Sequence, residues 1–168
     1  KSGLSSMYAG LWFCEEAVEE YKNPEARRRL IHLLNSSHLN VVTLNGFPQG
    51  DFHQDIVKSK VYLPHWGDKK RLNYTLALAE LLADCLPDHI KNGTISSVPF
   101  AYRLGWNDEL HKQACDNLLA YAASAAEIEN RTGKRIRLCL EMEPGCVFER
   151  TDQVVAFFSK YLKKEYKF

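Results

Sequence analysis

Four short apolar segments alternate with segments of helical pattern along this chain, and this alternation restricts its fold more than any other feature. Alternating strands and helices favour a parallel sheet that has its helices packed outside it. We therefore predict an α/β fold of four strand–helix units, in a single domain over residues 1–168. The predicted strands are Tyr8–Phe13, Leu39–Leu44, Thr94–Val98 and Arg135–Glu141.

Residues that favour helix ends divide the chain at the expected places. Gly133 stands where the C-cap glycine of a long helix belongs. A final amphipathic helix is predicted from Thr151 to Leu162. The predicted N-terminal caps of the other helices are Asn23, which is followed by Pro24 in the first turn, Asp68 and Asn107.

Composition and charge exclude several classes of function. The chain has 168 residues and a formal net charge of +1, and no run of Lys and Arg forms a track for nucleic acid. No apolar stretch approaches the ~20 residues that cross a bilayer. The five cysteines have no metal-binding or disulfide spacing, which is typical of buried free thiols in a reducing compartment. We predict a cytoplasmic protein that neither binds nucleic acid nor spans a membrane.

Two glutamates follow the last predicted strand. Apolar and polar residues alternate within RIRLCLEMEPGCVFE, so that Glu141 and Glu143 fall at the carboxyl tip of a mostly buried strand. Ligands bind at the carboxyl ends of the strands in α/β barrels and open α/β sheets. Because a buried carboxylate needs a partner, Glu141 indicates a metal, a cation or a proton-transfer role. The alternative is an ion pair between Glu141 and an Arg or Lys of a neighbouring strand.

Two other strand-end loops carry polar and aromatic residues. After the second strand, TLNGFPQGDFH contains Asn45 and His53 among glycines, which suits a loop that closes on a ligand. After the third strand, PFAYRLGW places Tyr102 and Trp106 at the same rim. We predict that these four residues bind the ligand. The alternative is that the aromatic residues only pack the loops down, as we expect of Tyr62.

In their order along the chain, the motifs LNGFPQGDFH, VYLPHW, ISSVP and LCLEMEPGCVFE resemble the EboE-type metabolite traffic proteins. That family belongs to the xylose-isomerase-like TIM barrel superfamily, which includes sugar isomerases, sugar epimerases and endonuclease IV. The resemblance implies that Glu141 is a ligand of a divalent metal (Mn²⁺, Mg²⁺ or Zn²⁺) and that His53 matches the histidine of a ligand loop. Glu143 matches the second glutamate of LExEP and is expected to be an acid/base group. The chain departs from the family's pattern at Gln49 and His65.

The resemblance covers only part of a barrel. The four units match strands two to five of eight, whereas a complete (β/α)₈ barrel takes ~250 residues. We therefore predict half of a TIM-type barrel, with two open sheet edges and an exposed apolar interior. Such a half is expected to need the missing half or a second copy for stability, and on its own to bind a metal weakly or not at all and to show no catalysis.

These observations lead to two main hypotheses for function. The first is a sugar-phosphate isomerase-like or epimerase-like enzyme, in which a metal held by Glu141 assists proton transfer by Glu143 on a sugar or polyol-like metabolite. The second is a non-catalytic protein that binds or carries such a metabolite on the same barrel. A third hypothesis, glycoside hydrolysis, would use Glu141 or Glu149 as one of its two carboxylates.

Overall fold

A four-stranded parallel sheet forms the centre of the chain, whose computed structural model describes residues 6–50 and 60–162. The strands lie side by side in chain order, so that each strand pairs with its neighbour in sequence. All four predicted strands are present, and their ends differ from the predicted ends by no more than two residues. The strands are β1 (Met7–Trp12), β2 (Leu39–Asn45), β3 (Asn92–Ser97) and β4 (Arg135–Leu140).

The helices begin where the capping residues predict. The side chains of Asn23, Asp68 and Asn107 each accept a hydrogen bond from a backbone N–H in the first turn of the following helix. Gly133 ends the longest helix in the left-handed conformation, at φ 69°. The final α-helix is shorter than predicted and continues as a π-helical turn over Phe158–Leu162. The helices are α1 (Glu15–Glu20), α2 (Pro24–Ser36), α3 (Lys69–Cys85), α4 (Asp108–Thr132) and α5 (Thr151–Phe157), and a 3₁₀ turn covers Lys60–Tyr62.

The helices cover one face of the sheet. α3 contacts β2, β3 and β4, while α2 lies against β2 and α4 against β4. The side chains that the strands direct to these helices are apolar and buried, which stabilises the sheet and the helix layer as one unit. The main members of this shared core are Val41, Leu44, Ile95 and Ile136 from the strands, and Leu30, Leu34, Leu78 and Leu82 from the helices.

The opposite face of the sheet is polar and open. The Thr94 hydroxyl donates a hydrogen bond of 2.8 Å to the Thr43 hydroxyl oxygen, and the Thr43 hydroxyl donates one of 3.0 Å to the Thr94 carbonyl. On β4, Arg137 and Cys139 stand in register with Thr94 and Ser96 and are exposed. The expectation of an exposed apolar interior is wrong for β3 and β4, which present hydroxyl, guanidinium and thiol groups on this face, whereas β1 exposes Met7 and Tyr8.

The sheet has the strand order of a barrel segment, but it is open. Consecutive parallel strands with outer helices are compatible with half of a barrel-like unit. Among the described residues, β1 pairs only with β2 and β4 only with β3, so both outer edges carry unpaired backbone groups. The α/β class with a parallel sheet and flanking helices is confirmed. Closure into a TIM-type barrel stays a prediction.

The cysteines and the helices bear on two further expectations. All five cysteines are free, but only Cys146 is fully buried and Cys139 is exposed, so the expectation of uniformly buried thiols is wrong. Within the described ranges, no helix is both long enough and apolar enough to cross a bilayer.

Candidate functional site

A cleft of about 280 Å³ opens at the carboxyl ends of β2 and β4. Three predicted site residues meet there, namely Asn45 from the end of β2 and Glu141 and Glu143 from the segment after β4. The carboxyl ends of parallel strands lie at one edge of a sheet, so residues far apart in sequence converge at this edge. The cleft is lined by Asn45, Phe47, Pro48, Glu141, Met142 and Glu143.

Asn45 presents its amide to the cleft in a fixed orientation. Its side-chain oxygen accepts hydrogen bonds from the backbone N–H of Phe47 at 2.9 Å and from the Ser96 hydroxyl at 3.1 Å. Because a backbone N–H only donates, the amide oxygen must face it and the NH₂ group must take the other side. The hydrogen bonds of the described residues leave this NH₂ group without a partner. It is therefore free to donate to a ligand.

Arg71 of α3 holds the turn that follows Asn45. Its Nη1 donates to the carbonyl oxygens of Gly46 at 2.8 Å and Phe47 at 2.9 Å, and its Nε donates to the Pro64 carbonyl at 2.7 Å. The guanidinium thus joins the start and the end of the loop between β2 and α3. The shape of the cleft wall at Phe47 depends on this arginine.

The burial of Arg71 is complete, with none of the residue exposed. Burial lowers the pKa of its guanidinium to about 10, so the group stays cationic at neutral pH. Sequence reasoning missed this residue as part of the site. A signal was present, because Arg71 lies seven and eleven residues before Leu78 and Leu82, which places it on the buried face of α3.

Glu141 stands at the cleft with its side chain exposed. Its backbone N–H donates to the Ser97 carbonyl at 3.0 Å, which continues the pairing of β4 with β3. Its side chain has the same parity as Arg137 and Cys139 and so belongs to the open face of the sheet. The expectation of a buried carboxylate is wrong for this residue. The alternative, an ion pair with a neighbouring strand, is also absent among the described residues.

Glu143 is half-buried and has a tyrosine behind it. Burial raises the pKa of the Tyr62 hydroxyl, and the nearby Glu143 carboxylate and Cys146 thiol raise it further, so the phenol keeps its proton. Burial likewise raises the pKa of Cys146 to about 11, which keeps that thiol protonated. The loop-packing role predicted for Tyr62 is confirmed by its ring contacts with Phe47 and Tyr102.

The other predicted ligand residues do not line the cleft. Tyr102 is 42% exposed, with its ring 5.6 Å from that of Tyr62. Trp106 packs in an aromatic cluster, 5.8 Å from Phe100 and 5.5 Å from His65 between ring centroids. Its indole N–H is buried and finds no acceptor among the described residues. His53 lies outside the residues that the structure describes.

Glu149 does not line the cleft, and its carboxylate makes structural contacts instead. One carboxylate oxygen accepts a hydrogen bond of 2.6 Å from the Gly145 N–H, and the other lies 2.9 Å from Nη2 of Arg103. The Gly145 N–H, followed by Arg103, lowers the pKa of the Glu149 carboxyl below its ordinary value. Because Glu149 does not line the cleft, Glu141 stays the candidate carboxylate for the glycosidase hypothesis, whose second carboxylate was expected from the missing half.

The fit of a divalent metal to these residues is incomplete. The described residues contain no group of three or more His, Cys, Asp or Glu side chains placed to hold a metal ion. The oxygen of Asn45 already accepts two hydrogen bonds, so its free atoms are donors, which a cation does not attract. Two carboxylates are too few oxygen ligands to hold Mg²⁺ or Mn²⁺ tightly. The metal at Glu141 stays a prediction.

Comparisons with models of protein families, with curated proteins and with solved structures find no match to this chain. The resemblance of its motifs to the metabolite traffic proteins therefore stays an expectation.

Both positions at which the chain departs from that pattern hold buried polar atoms that lack a partner in the described part of the chain. These atoms are the side-chain oxygen and nitrogen of Gln49 and Nδ1 of His65.

Proposed function

We propose that the cleft binds a small polyhydroxylated metabolite, a sugar or a polyol, and that Glu143 transfers a proton on it. One observation carries the proposal, namely the meeting of Asn45, Glu141 and Glu143 in a single cleft at the carboxyl ends of two strands. Polar groups converging at this edge of a parallel sheet are the usual form of a ligand site. The reaction class is that of a sugar isomerase or epimerase.

The lining of the cleft suits a molecule that has both hydroxyl groups and C–H faces. The NH₂ group of Asn45 donates hydrogen bonds, while the carboxylates of Glu141 and Glu143 accept them from hydroxyl groups. Phe47 and Met142 supply apolar surface against which a C–H face can lie. Donors, acceptors and apolar contacts are thus present within one small cleft.

Glu143 is the group assigned to proton transfer. Its carboxylate takes a proton from the carbon beside a carbonyl, and the electron pair of that C–H bond forms an enediol-type intermediate. Return of the proton to the adjacent carbon, while the proton of the neighbouring hydroxyl passes to the former carbonyl oxygen, completes an isomerisation, and an epimerisation needs a second proton donor on the opposite face of the carbon. Glu141 accepts hydrogen bonds from neighbouring hydroxyl groups and holds the substrate. Assistance by a metal is not needed for these assignments.

A non-catalytic binding or carrier role is the second candidate. It is favoured by the exposure of Glu141, because catalytic sites usually exclude water whereas this cleft is open to it. The same polar and apolar groups would then hold a metabolite without changing it. The cytoplasmic location expected from the cysteines is compatible with either candidate.

Deuterium exchange separates the two candidates. The chain is incubated in D₂O with a panel of sugars and polyols, and NMR follows both ligand binding and replacement of carbon-bound hydrogen by deuterium. Exchange that is lost in Glu143→Gln supports the enzyme, and saturable binding without exchange supports the carrier. The control is Glu127→Gln, an exposed change on α4 that lies away from the cleft. Absence of saturable binding to every member of the panel would contradict both candidates.

A further inference from the structure

We infer that the cleft selects a positively charged ligand, an amino sugar or an amino polyol, over neutral and phosphorylated sugars. The inference rests on the proposed function, because it names the substrate class of the same cleft. The charges of the lining carry it. Two of the six lining residues, Glu141 and Glu143, are anionic, and none of the six is a Lys, an Arg or a His.

Neither carboxylate of the cleft has a charged partner in the described part of the chain. The ion pairs between described residues all use other carboxylates, and none of them includes Glu141 or Glu143. Two anions in one small cleft disfavour each other's charge. A cation that enters between them pairs with both and relieves this repulsion.

The arginines around the cleft are engaged elsewhere. Arg71 is fully buried and donates to three backbone carbonyls. Nη2 of Arg103 lies 2.9 Å from a carboxylate oxygen of Glu149. Arg137 shares the open face with Glu141, but at ~3.3 Å per residue its backbone lies about 13 Å away along the strand, beyond the screening length of ~8–10 Å. A phosphate group would therefore meet two carboxylates and no available cation of the described residues.

The other lining groups indicate that the cation carries hydroxyl groups on a carbon frame. The free NH₂ group of Asn45 donates hydrogen bonds, so it requires an oxygen acceptor, which neither a bare ammonium nor a metal ion supplies. Met142 and the ring of Phe47 offer apolar surface, and an aromatic ring also attracts a cation over its face. An ammonium on a hydroxylated carbon frame suits the carboxylates, the amide and the ring together.

The binding of matched ligands tests the charge preference. Calorimetric titration at about pH 6, where an amine is protonated, compares glucosamine with glucose and glucamine with sorbitol. In each pair an ammonium replaces one hydroxyl group. We expect each amine to bind about tenfold more tightly than its neutral partner at low salt, with a preference that shrinks as salt is added. A glucose phosphate should bind more weakly than glucose.

Substitution of the two glutamates tests whether the cleft is the source of the preference. We expect Glu141→Gln and Glu143→Gln each to lower the ratio of amine affinity to neutral affinity about threefold, and the double change to bring it close to one. The control is Glu127→Gln, which removes one carboxylate from an exposed position on α4 and should keep the ratio of the parent chain.

The outcomes separate this inference from the proposed function. Equal affinity for amines and neutral ligands overturns the inference, while the binding of sugars or polyols stands. Tighter binding of the phosphate than of glucose overturns it too, as does tighter binding of Mn²⁺ alone than of either amine. An amine preference that survives the double change has its source outside the cleft and contradicts the inference. Absence of saturable binding to every sugar and polyol contradicts the proposed function itself.

Discussion

Nη1 of Arg71 lies 2.8 Å from the carbonyl oxygen of Gly46, so a fully buried cation is bonded to the turn that immediately follows Asn45. No carboxylate of the described residues forms an ion pair with this guanidinium, and backbone carbonyls take that place. A cation stabilised by peptide dipoles ties the local backbone to the helix layer. The geometry of the cleft and the stability of the core are therefore linked through one side chain.

Replacing Arg71 by Met should destabilise the chain strongly. The change removes three hydrogen bonds to backbone carbonyls, of which that of Gly46 is buried, so we expect a loss of about 3 kcal/mol in the free energy of unfolding. Denaturant titration measures this loss. The control is Arg29→Met, because Arg29 is exposed on α2 and should change stability by less than ~0.5 kcal/mol. Equal effects of the two changes would contradict the structural role of Arg71.

Replacing Asn45 by Asp should strengthen the binding of a divalent cation. One oxygen of the new carboxylate keeps the bonds from Phe47 and Ser96, and the other turns toward Glu141 and Glu143 as a third anionic ligand. We expect Mn²⁺ to bind about tenfold more tightly, a gain of about 1.4 kcal/mol, as measured by calorimetric titration.

The matched control for the metal experiment is Asn92→Asp. It adds the same charge at an exposed position at the amino end of β3, which is the end of the sheet opposite the cleft. An equal gain in both variants would show a general effect of charge rather than a site. No gain in Asn45→Asp would contradict the placement of the two glutamates beside Asn45.

Replacing Gly145 by Ala should cost more stability than the same change at Gly133. Both glycines have a positive φ, at 84° and 69°, which costs an alanine about 1–2 kcal/mol. Only Gly145 also meets a ring, since nothing lies within 4 Å of a Cβ atom built at Gly133. Thermal or denaturant unfolding of both variants measures the difference. The difference should vanish when Tyr102 is replaced by Ala, and its persistence would show that the ring is not its source.

Acid should weaken the contacts that the Glu149 carboxylate makes with the Gly145 N–H and with Arg103. Its pKa is lowered in the folded chain by the Gly145 N–H and by Arg103, so its stabilising effect is fully present above about pH 4.5, the ordinary pKa. The effect is lost as the pH falls from that value through the lowered pKa. We expect Glu149→Gln to reduce the Tm at pH 7 and to flatten its fall between pH 5 and pH 3. A variant with the same pH profile as the parent chain would contradict this assignment.

The outer edge of β1 should promote association. β1 pairs on one side only among the described residues, and a free strand edge is a template for another strand. We expect concentration-dependent self-association in sedimentation, reduced by Tyr8→Lys on this edge. The control is Leu33→Lys on α2, because both side chains are 60% exposed and only one belongs to the edge. A chain that stays monomeric at every concentration would contradict association through this edge.

The strands and helices could be predicted from the sequence because local signals determine them. Asn23, Asp68 and Asn107 cap helices through their own first turns, and Gly133 supplies the left-handed residue that ends α4. The alternation of residues in β4 placed Glu141 and Glu143 at the carboxyl tip of the strand, where the structure has them, but it did not predict that Glu141 is exposed. The rule that ligands bind at the carboxyl ends of parallel strands correctly predicted that Asn45 lies near Glu141 and Glu143.

The supporting residues could not be predicted because they act over long sequence distances. Arg71 reaches back 25 residues to Gly46, and the ring of Tyr62 packs against that of Tyr102 in the loop after β3. Trp106 follows a strand end as a ligand residue would, yet its ring packs against Phe100 and His65. Whether an aromatic ring faces a cleft or a core depends on tertiary packing, which a linear pattern does not contain.

The order of the strands also bears on how the sheet is made. Because each strand pairs with the one before it, the sheet can be built in the order in which the ribosome releases the chain. β1 and β2 can pair as soon as both have emerged, and each later strand then meets an edge that is already formed. Every addition closes a loop of a few tens of residues, a cost that grows only slowly with loop length. A free edge promotes association of the finished sheet, but during synthesis it is the edge with which the next strand pairs.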